Sequence, residues 1–243
     1  MTTTTPRPAP VPRPPAEPLP RSLPLRRTTV GRKAVMAVTG LVLYVFVVVH
    51  MIGNLKFFTG SEHFDSYAKW LRTIGQPLLL HGMYLWIQRG VLFIALVLHI
   101  WSAWSLARIS HSARPVHYSR RKDVQATLAA RTMRWGGIAI LLFIVFHLLE
   151  FTTGTLGQHY VKGDVYDNVV NAFKHWYLVV VYLLAIGALC MHLYHGVWSA
   201  TQTLALTKPR INKAIRSFSI VSAAVIFLGF MAVPVAVLAG VRP

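Results

Sequence analysis

Five long apolar blocks constrain this chain more than any other feature. They run from about Lys33 to Leu55, Trp86 to Ala107, Met133 to Phe151, Phe173 to Gln202 and Ile215 to Val241. Each meets or approaches the ~20 residues that a helix needs to cross a hydrocarbon layer. Only 13% of the 243 residues are charged, against about 25% in an ordinary soluble domain. One small soluble core cannot bury five such blocks, so lipid is the expected solvent. Backbone groups in lipid find no water, so each block is expected to satisfy its own amides as an α-helix. The expected fold class is an all-α membrane protein, with five transmembrane helices in a bundle. The third helix is the weakest, because Trp135-Gly136-Gly137 stands near its start.

The formal charge of +18 raises the question of nucleic acid. The distribution answers it, because the cations sit between the apolar blocks. That is the pattern that orients membrane proteins, and no nucleic-acid partner is expected. The arm through Lys33 holds seven lysines and arginines, the segment from Arg108 to Arg134 seven, and the segment from Lys208 to Arg216 four. These fall on one side if the helices alternate, and the remaining seven fall on the other. The basic side is expected to be cytoplasmic, giving a multi-pass cytoplasmic (inner) membrane protein with its N-terminus inside.

Residues 1–27 carry nine of the fourteen prolines and no apolar stretch of the signal-peptide kind. Residues 1–30 are therefore expected to form a disordered cytoplasmic arm, and residues 31–243 the membrane domain. Between the first two blocks, Phe64, Tyr67, Ala68 and Leu71 share one helical face. Glu62 to Ile74 reads equally well as a short interfacial helix or as a plain connector. The single cysteine, Cys190, excludes an internal disulfide, and no C-x-x-C-H motif offers thioether attachment of a haem.

Of eleven histidines, four stand inside consecutive apolar blocks: His50, His99, His147 and His192. Polar groups at membrane depth are costly and turn toward the bundle interior. A lone histidine there is more often a hydrogen-bonded core residue than a ligand. One on each of four helices favours ligation, because a b-type haem takes two imidazoles from facing helices. Depth sorts them independently. At 1.5 Å per residue, His50 and His147 lie ~25 Å and ~20 Å above the basic edge, whereas His99 and His192 lie ~14 Å and ~15 Å above it. The expected pairs are therefore His50 with His147 and His99 with His192.

Small residues accompany the second pair: Ala185, Ala188, Gly196 and Ser199 around His192, and Ala95, Ser102 and Ala103 around His99. They leave room for a flat macrocycle, although plain helix packing also selects them. His195, one turn beyond His192, is a rival ligand or a contact for a propionate or a quinone. Cys190 lies ~200° around the helix from His192 and reads as a buried inert thiol. The other six histidines fall in connections or at helix ends, where surface roles are the default.

These residues resemble the five-helix cytochrome b anchor of succinate dehydrogenase and fumarate reductase. The resemblance covers about residues 31–235. It rests on Val49-His50-Met51-Ile52-Gly53-Asn54-Leu55, Leu98-His99-Ile100, Ala113-Arg114-Pro115, Phe146-His147 through Phe151, and His192-Leu193-Tyr194-His195-Gly196 through Leu204. The chain looks most like the actinobacterial branch, some members of which depart from the two-haem pattern.

The resemblance implies haem b, one or two, with His50 and His147 at the distal positions and His99 and His192 at the proximal ones. A membrane-embedded iron–sulfur cluster in place of a haem is the cofactor alternative. It also implies a flavoprotein subunit, an iron–sulfur subunit, and menaquinone or another quinone in the lipid. Succinate would be oxidised in a partner subunit. No residue of this chain is expected to be catalytic, and its own contribution would be the quinone site. Arg32 and Lys33, where the first helix begins, and Trp101, His195 and Trp198 at a similar level are the candidate quinone contacts; for the two cations, snorkelling anchors are the bland role. Glu150 reads either as a proton relay for a distal quinone or as a solvated helix-end carboxylate. A haem b subunit of another respiratory dehydrogenase and a non-redox membrane protein are the competing functions. Neither accounts as well for the near-equal intervals of 49, 48 and 45 residues between the four histidines.

Overall fold

The computed structural model describes residues 28–112, 128–157, 159–204 and 209–243, all helix or connection with no strand among them. The proline-rich arm over residues 1–27 and the motif Ala113-Arg114-Pro115 lie outside the described residues.

Seven helices follow in order: α1 (Thr29–Leu55), α2 (Ser61–Trp70), α3 (Met83–Ser112), α4 (Leu128–Phe151), α5 (Val165–Phe173), α6 (Trp176–Thr203) and α7 (Pro209–Leu238). Of these, α1, α3, α4, α6 and α7 are long and apolar enough to cross a membrane. The chain is an all-α, five-helix membrane bundle. α1 begins earlier than Lys33 because the Thr28 hydroxyl accepts the Gly31 amide at 3.0 Å, capping the first turn. Gly136 and Gly137 do not break α4, which starts at Leu128.

The side chains are arranged for lipid. Along α1, Val38, Leu41, Val45, Val49 and Ile52 recur every three or four residues, and each is more than half exposed. Each such side chain would forgo in water roughly half of the 1.5–3 kcal/mol that full burial is worth, and a continuous stripe of them suits an apolar solvent. Two arginine–tryptophan pairs bracket α3: Arg89 lies 4.9 Å from the Trp86 ring and Arg108 lies 5.2 Å from the Trp104 ring. From Trp86 to Trp104 the helix rises ~27 Å, close to the ~30 Å of the hydrocarbon core. Tryptophan favours both headgroup levels, so Trp86 and Trp104 have the separation expected of two interfacial anchors.

α1 packs closely on α3, α6 and α7, while α6 packs on α4 and α7. Contacts fix the directions: His99 and Ser105 of α3 meet Met36 and Arg32 of α1, so these two helices are antiparallel. Gly137 of α4 faces His192 of α6, while His147 meets Tyr182, so these two are also antiparallel. Four helices thus stand in a frame in the packing order α3–α1–α6–α4, whose α3–α4 side is not close-packed, with α7 against α1 and α6. The bundle has a basic end, where α1 starts, and a capped end, where α1 finishes.

The capped end is built by α2, α5 and a single 3-10 turn over Lys56–Thr59. Of the two readings open for this connection, the short helix is the one formed, over Ser61–Trp70 rather than Glu62 to Ile74, with Phe64 buried and Tyr67, Ala68 and the capping Leu71 half-buried. α5 departs from the sequence reading. Phe173 was expected to open the fourth span, yet it closes a separate helix, and the span begins at Trp176. Two aspartates explain this. Asp164 accepts the Asp167 amide at 3.1 Å, and Asp65 of α2 accepts the Val165 and Tyr166 amides at 2.9 and 3.1 Å. These carboxylates satisfy amides that begin a new helix. Tyr166, Val170 and Phe173, spaced four and three apart, then turn inward and bury. Phe57, fully buried, stacks on Tyr166 with centroids 4.9 Å apart.

Candidate functional site

The four membrane-depth histidines meet in two pairs. The His50 and His147 rings lie 5.8 Å apart, and the His99 and His192 rings 6.2 Å apart. Each pair spans two helices that are not close-packed, α1 with α4 and α3 with α6. These are the two diagonals of the frame. The backbones stand apart, and the imidazoles meet across the middle.

Two heights result. Gly40 and Met36 of α1 touch His99, so His50 lies ~15 Å further along the helix than Gly40. Along α6, Tyr182 touches His147, and from there to His192 is again ~15 Å. Two different helices therefore give the same separation. His99 and His192 lie toward the basic end, His50 and His147 toward the capped end.

At the lower level, His99 Nδ1–H donates to the Met36 carbonyl at 3.2 Å. Thr39 Oγ, which donates to the Val35 carbonyl at 2.7 Å, stands 3.4 Å from the same nitrogen. A carbonyl only accepts, so this bond fixes the tautomer and leaves the Nε2 lone pair for a ligand role. A Cβ at Gly40 would lie 3.2 Å from His99 Cε1, so a larger side chain there would push the imidazole away from α1. Two buried polar atoms at this level have no hydrogen-bond partner among the described residues: His192 Nδ1 and Ser102 Oγ. Buried polar groups are ordinarily paired, so these two mark a place for a polar ligand or water.

The upper level is aromatic. Phe46 stacks on His50 at 5.3 Å, and Phe230 lies 5.9 Å from it. Phe143 and Phe151 lie 5.9 and 5.5 Å from His147. His147 Nδ1 lies within hydrogen-bond distance of the Tyr182 oxygen, at 3.1 Å, and the Tyr182 hydroxyl donates to Glu150 Oε2 at 2.6 Å. Glu150 is 2% exposed, which overturns its reading as a solvated helix-end carboxylate. The reason is the connection after α4. Gly157 folds back so closely that a Cβ there would lie 2.9 Å from the Glu150 carbonyl oxygen.

The residues fit a haem. A metal held between two imidazoles at the ~2 Å length of a metal–nitrogen bond sets their centroids about 6 Å apart, as in both pairs. A haem asks two ligands of the protein and brings its own four nitrogens. An iron–sulfur cluster asks more of the chain, and no three His, Cys, Asp or Glu side chains converge on a metal position among the described residues. Cys190 is a buried free thiol in the core of α6.

No family model matches this chain. No curated protein and no solved structure matches it either. Its chemistry is therefore read from its own residues.

The candidate quinone contacts divide. Arg32 donates to the Ser105 hydroxyl, and its guanidinium lies 5.9 Å from the ring of Trp101, two residues beyond His99. Lys33 is exposed on α1. His195 and Trp198 are half-buried on α6, toward the basic end from His192. Sequence reasoning missed Ser105 and Tyr182. Tyr182 follows Leu178 and Val179 and precedes Ile186 on the buried face of α6, a spacing that marks it as inward-facing.

Proposed function

We propose that this chain is the membrane anchor subunit of a succinate:quinone oxidoreductase and holds b-type haem between its helices. The observation that carries the reading is the pair of histidine bridges on the two diagonals of one four-helix frame, ~15 Å apart in height. Packing alone gives no reason for four costly imidazoles to meet two by two in the bundle centre. A haem, when bound, supplies one-electron transfer.

The chain's own residues do the rest. His99 and His192 hold the lower position and His50 and His147 the upper one. Met36 and Tyr182 engage Nδ1 of His99 and of His147, which leaves each Nε2 for a ligand role. Phe46, Phe143, Phe151 and Phe230 line the upper pair and keep water from it. At the basic end, Arg32, Ser105 and Trp101 combine donors with an apolar ring, which suits the carbonyl oxygens of a quinone. The same end, cytoplasmic by the distribution of lysine and arginine, receives the iron–sulfur subunit and, through it, the flavoprotein that oxidises succinate. Membranes from a strain deleted for this chain should then lose succinate-driven reduction of a quinone analogue. The affinity-tagged chain should bring down a flavoprotein and an iron–sulfur protein in equal amount. Retained activity, or purification without flavin or iron, would exclude the assignment.

A further inference from the structure

The capped-end pair has a feature the basic-end pair lacks. His99 is oriented by a backbone carbonyl of α1, whereas His147 is oriented by a chain of side chains that ends in a carboxyl group. We propose that Tyr182 and Glu150 are positioning residues for His147 and set the reduction potential of the capped-end site. The inference rests on the reading of His50 and His147 as haem ligands.

The direction of the hydrogen bonds carries the argument. The Tyr182 hydroxyl has one proton, and it points at Glu150 Oε2 over 2.6 Å. Its oxygen is then left to accept, and the group 3.1 Å away is His147 Nδ1, which must carry the proton. An imidazole protonated at Nδ1 keeps its Nε2 lone pair free for a ligand. Each link depends on the next: without an acceptor at position 150, the tyrosine proton is free to turn toward His147 and favour the wrong tautomer. Ligand histidines commonly donate their second nitrogen to such a partner, which fixes the ring and raises its basicity. A more basic ligand stabilises oxidised iron, so the relay lowers the potential of the capped-end site.

The surroundings keep the relay dry. Tyr182 is 5% exposed and is clasped by Phe143 and Phe173, each with its centroid 4.9 Å away. Beyond Glu150 lies a small cleft lined by Phe151, Gly157, Tyr160, Asn168 and Ala172. A hydrogen bond in such surroundings is stronger than one in water, because little solvent screens it. The capped end thus has its own tuning device, and the basic end does not share it.

The test is potentiometric titration of the haem spectrum in the intact complex, with His50→Ala used to assign the capped-end component. Tyr182→Phe should raise the capped-end potential by about 59 mV, a tenfold change in the reduced-to-oxidised ratio of a one-electron couple, and leave the basic-end component unchanged. Glu150→Leu should move it in the same direction. Glu150→Gln keeps an oxygen acceptor and should shift it less than either. An unchanged capped-end potential in Tyr182→Phe and Glu150→Leu would overturn the relay while leaving the anchor assignment intact. So would loss of both components together in all three variants, the mark of a merely structural role. A wild-type complex with no b-type haem would instead refute the functional reading itself, and the relay with it.

Discussion

A histidine serves as a ligand only when one ring nitrogen is committed elsewhere and the other is kept clear, and at His99 both conditions come from α1. Met36 takes the Nδ1 proton, and Gly40 yields the space beside Cε1. Gly40→Leu should therefore displace the His99 ring and abolish the basic-end haem band while sparing the capped-end one. Visible spectra of the purified variant check this, and Gly40→Ala, whose Cβ needs a shift of only a few tenths of an ångström, should lose far less. The four histidines were legible in the sequence because a polar ring inside an apolar block has to be explained by a partner. Tyr182 was not, since a tyrosine in such a block passes for an interfacial or core aromatic. For Glu150 the sequence left two readings open, and the solvated one fails because its burial depends on the fold-back at Gly157, a tertiary event that no helical period encodes.

The spanning helices were legible within a few residues, since lipid forces internal hydrogen bonding on any apolar block of sufficient length. α5 was hidden, because only Lys174 and His175 separate its apolar face from α6. Its start is set by an aspartate from α2, about a hundred residues earlier in the chain. Asp65→Ala should accordingly weaken α5 by about 1–2 kcal/mol, the usual worth of a lost helix cap. Faster amide exchange over residues 165–173, with exchange in α6 unchanged, is the expected observation. Close helix packing has its own sensitive point at Gly229 of α7, where any Cβ would collide with the Met51 side chain. Gly229→Leu should cost about 1–3 kcal/mol through overpacking, seen as a lower unfolding temperature of the detergent-solubilised protein.

At the scale of the molecule, the frame has two unlike ends. The basic end carries Arg32, Lys33, Arg108, Arg134, Lys213 and Arg216 among the described residues, and the capped end is closed by α2, α5 and the return of the chain, with the Tyr166 hydroxyl donating to the Pro243 carbonyl. If the basic end is cytoplasmic, a cysteine placed at the exposed Ser61 should react with an impermeant maleimide added outside the cell, and one at Lys213 should not. A Cys190→Ala background removes the native thiol; the reverse labelling pattern would invert the topology. Everything functional nevertheless depends on the diagonals. The most direct measurement is a dithionite-reduced minus oxidised spectrum of the purified complex, repeated for the four single alanine variants at His50, His99, His147 and His192. The account predicts a b-type band in the wild type and two classes of variant, His50 with His147 losing one component and His99 with His192 losing the other. A spectrum without haem, or losses that pair the histidines in any other way, would contradict it.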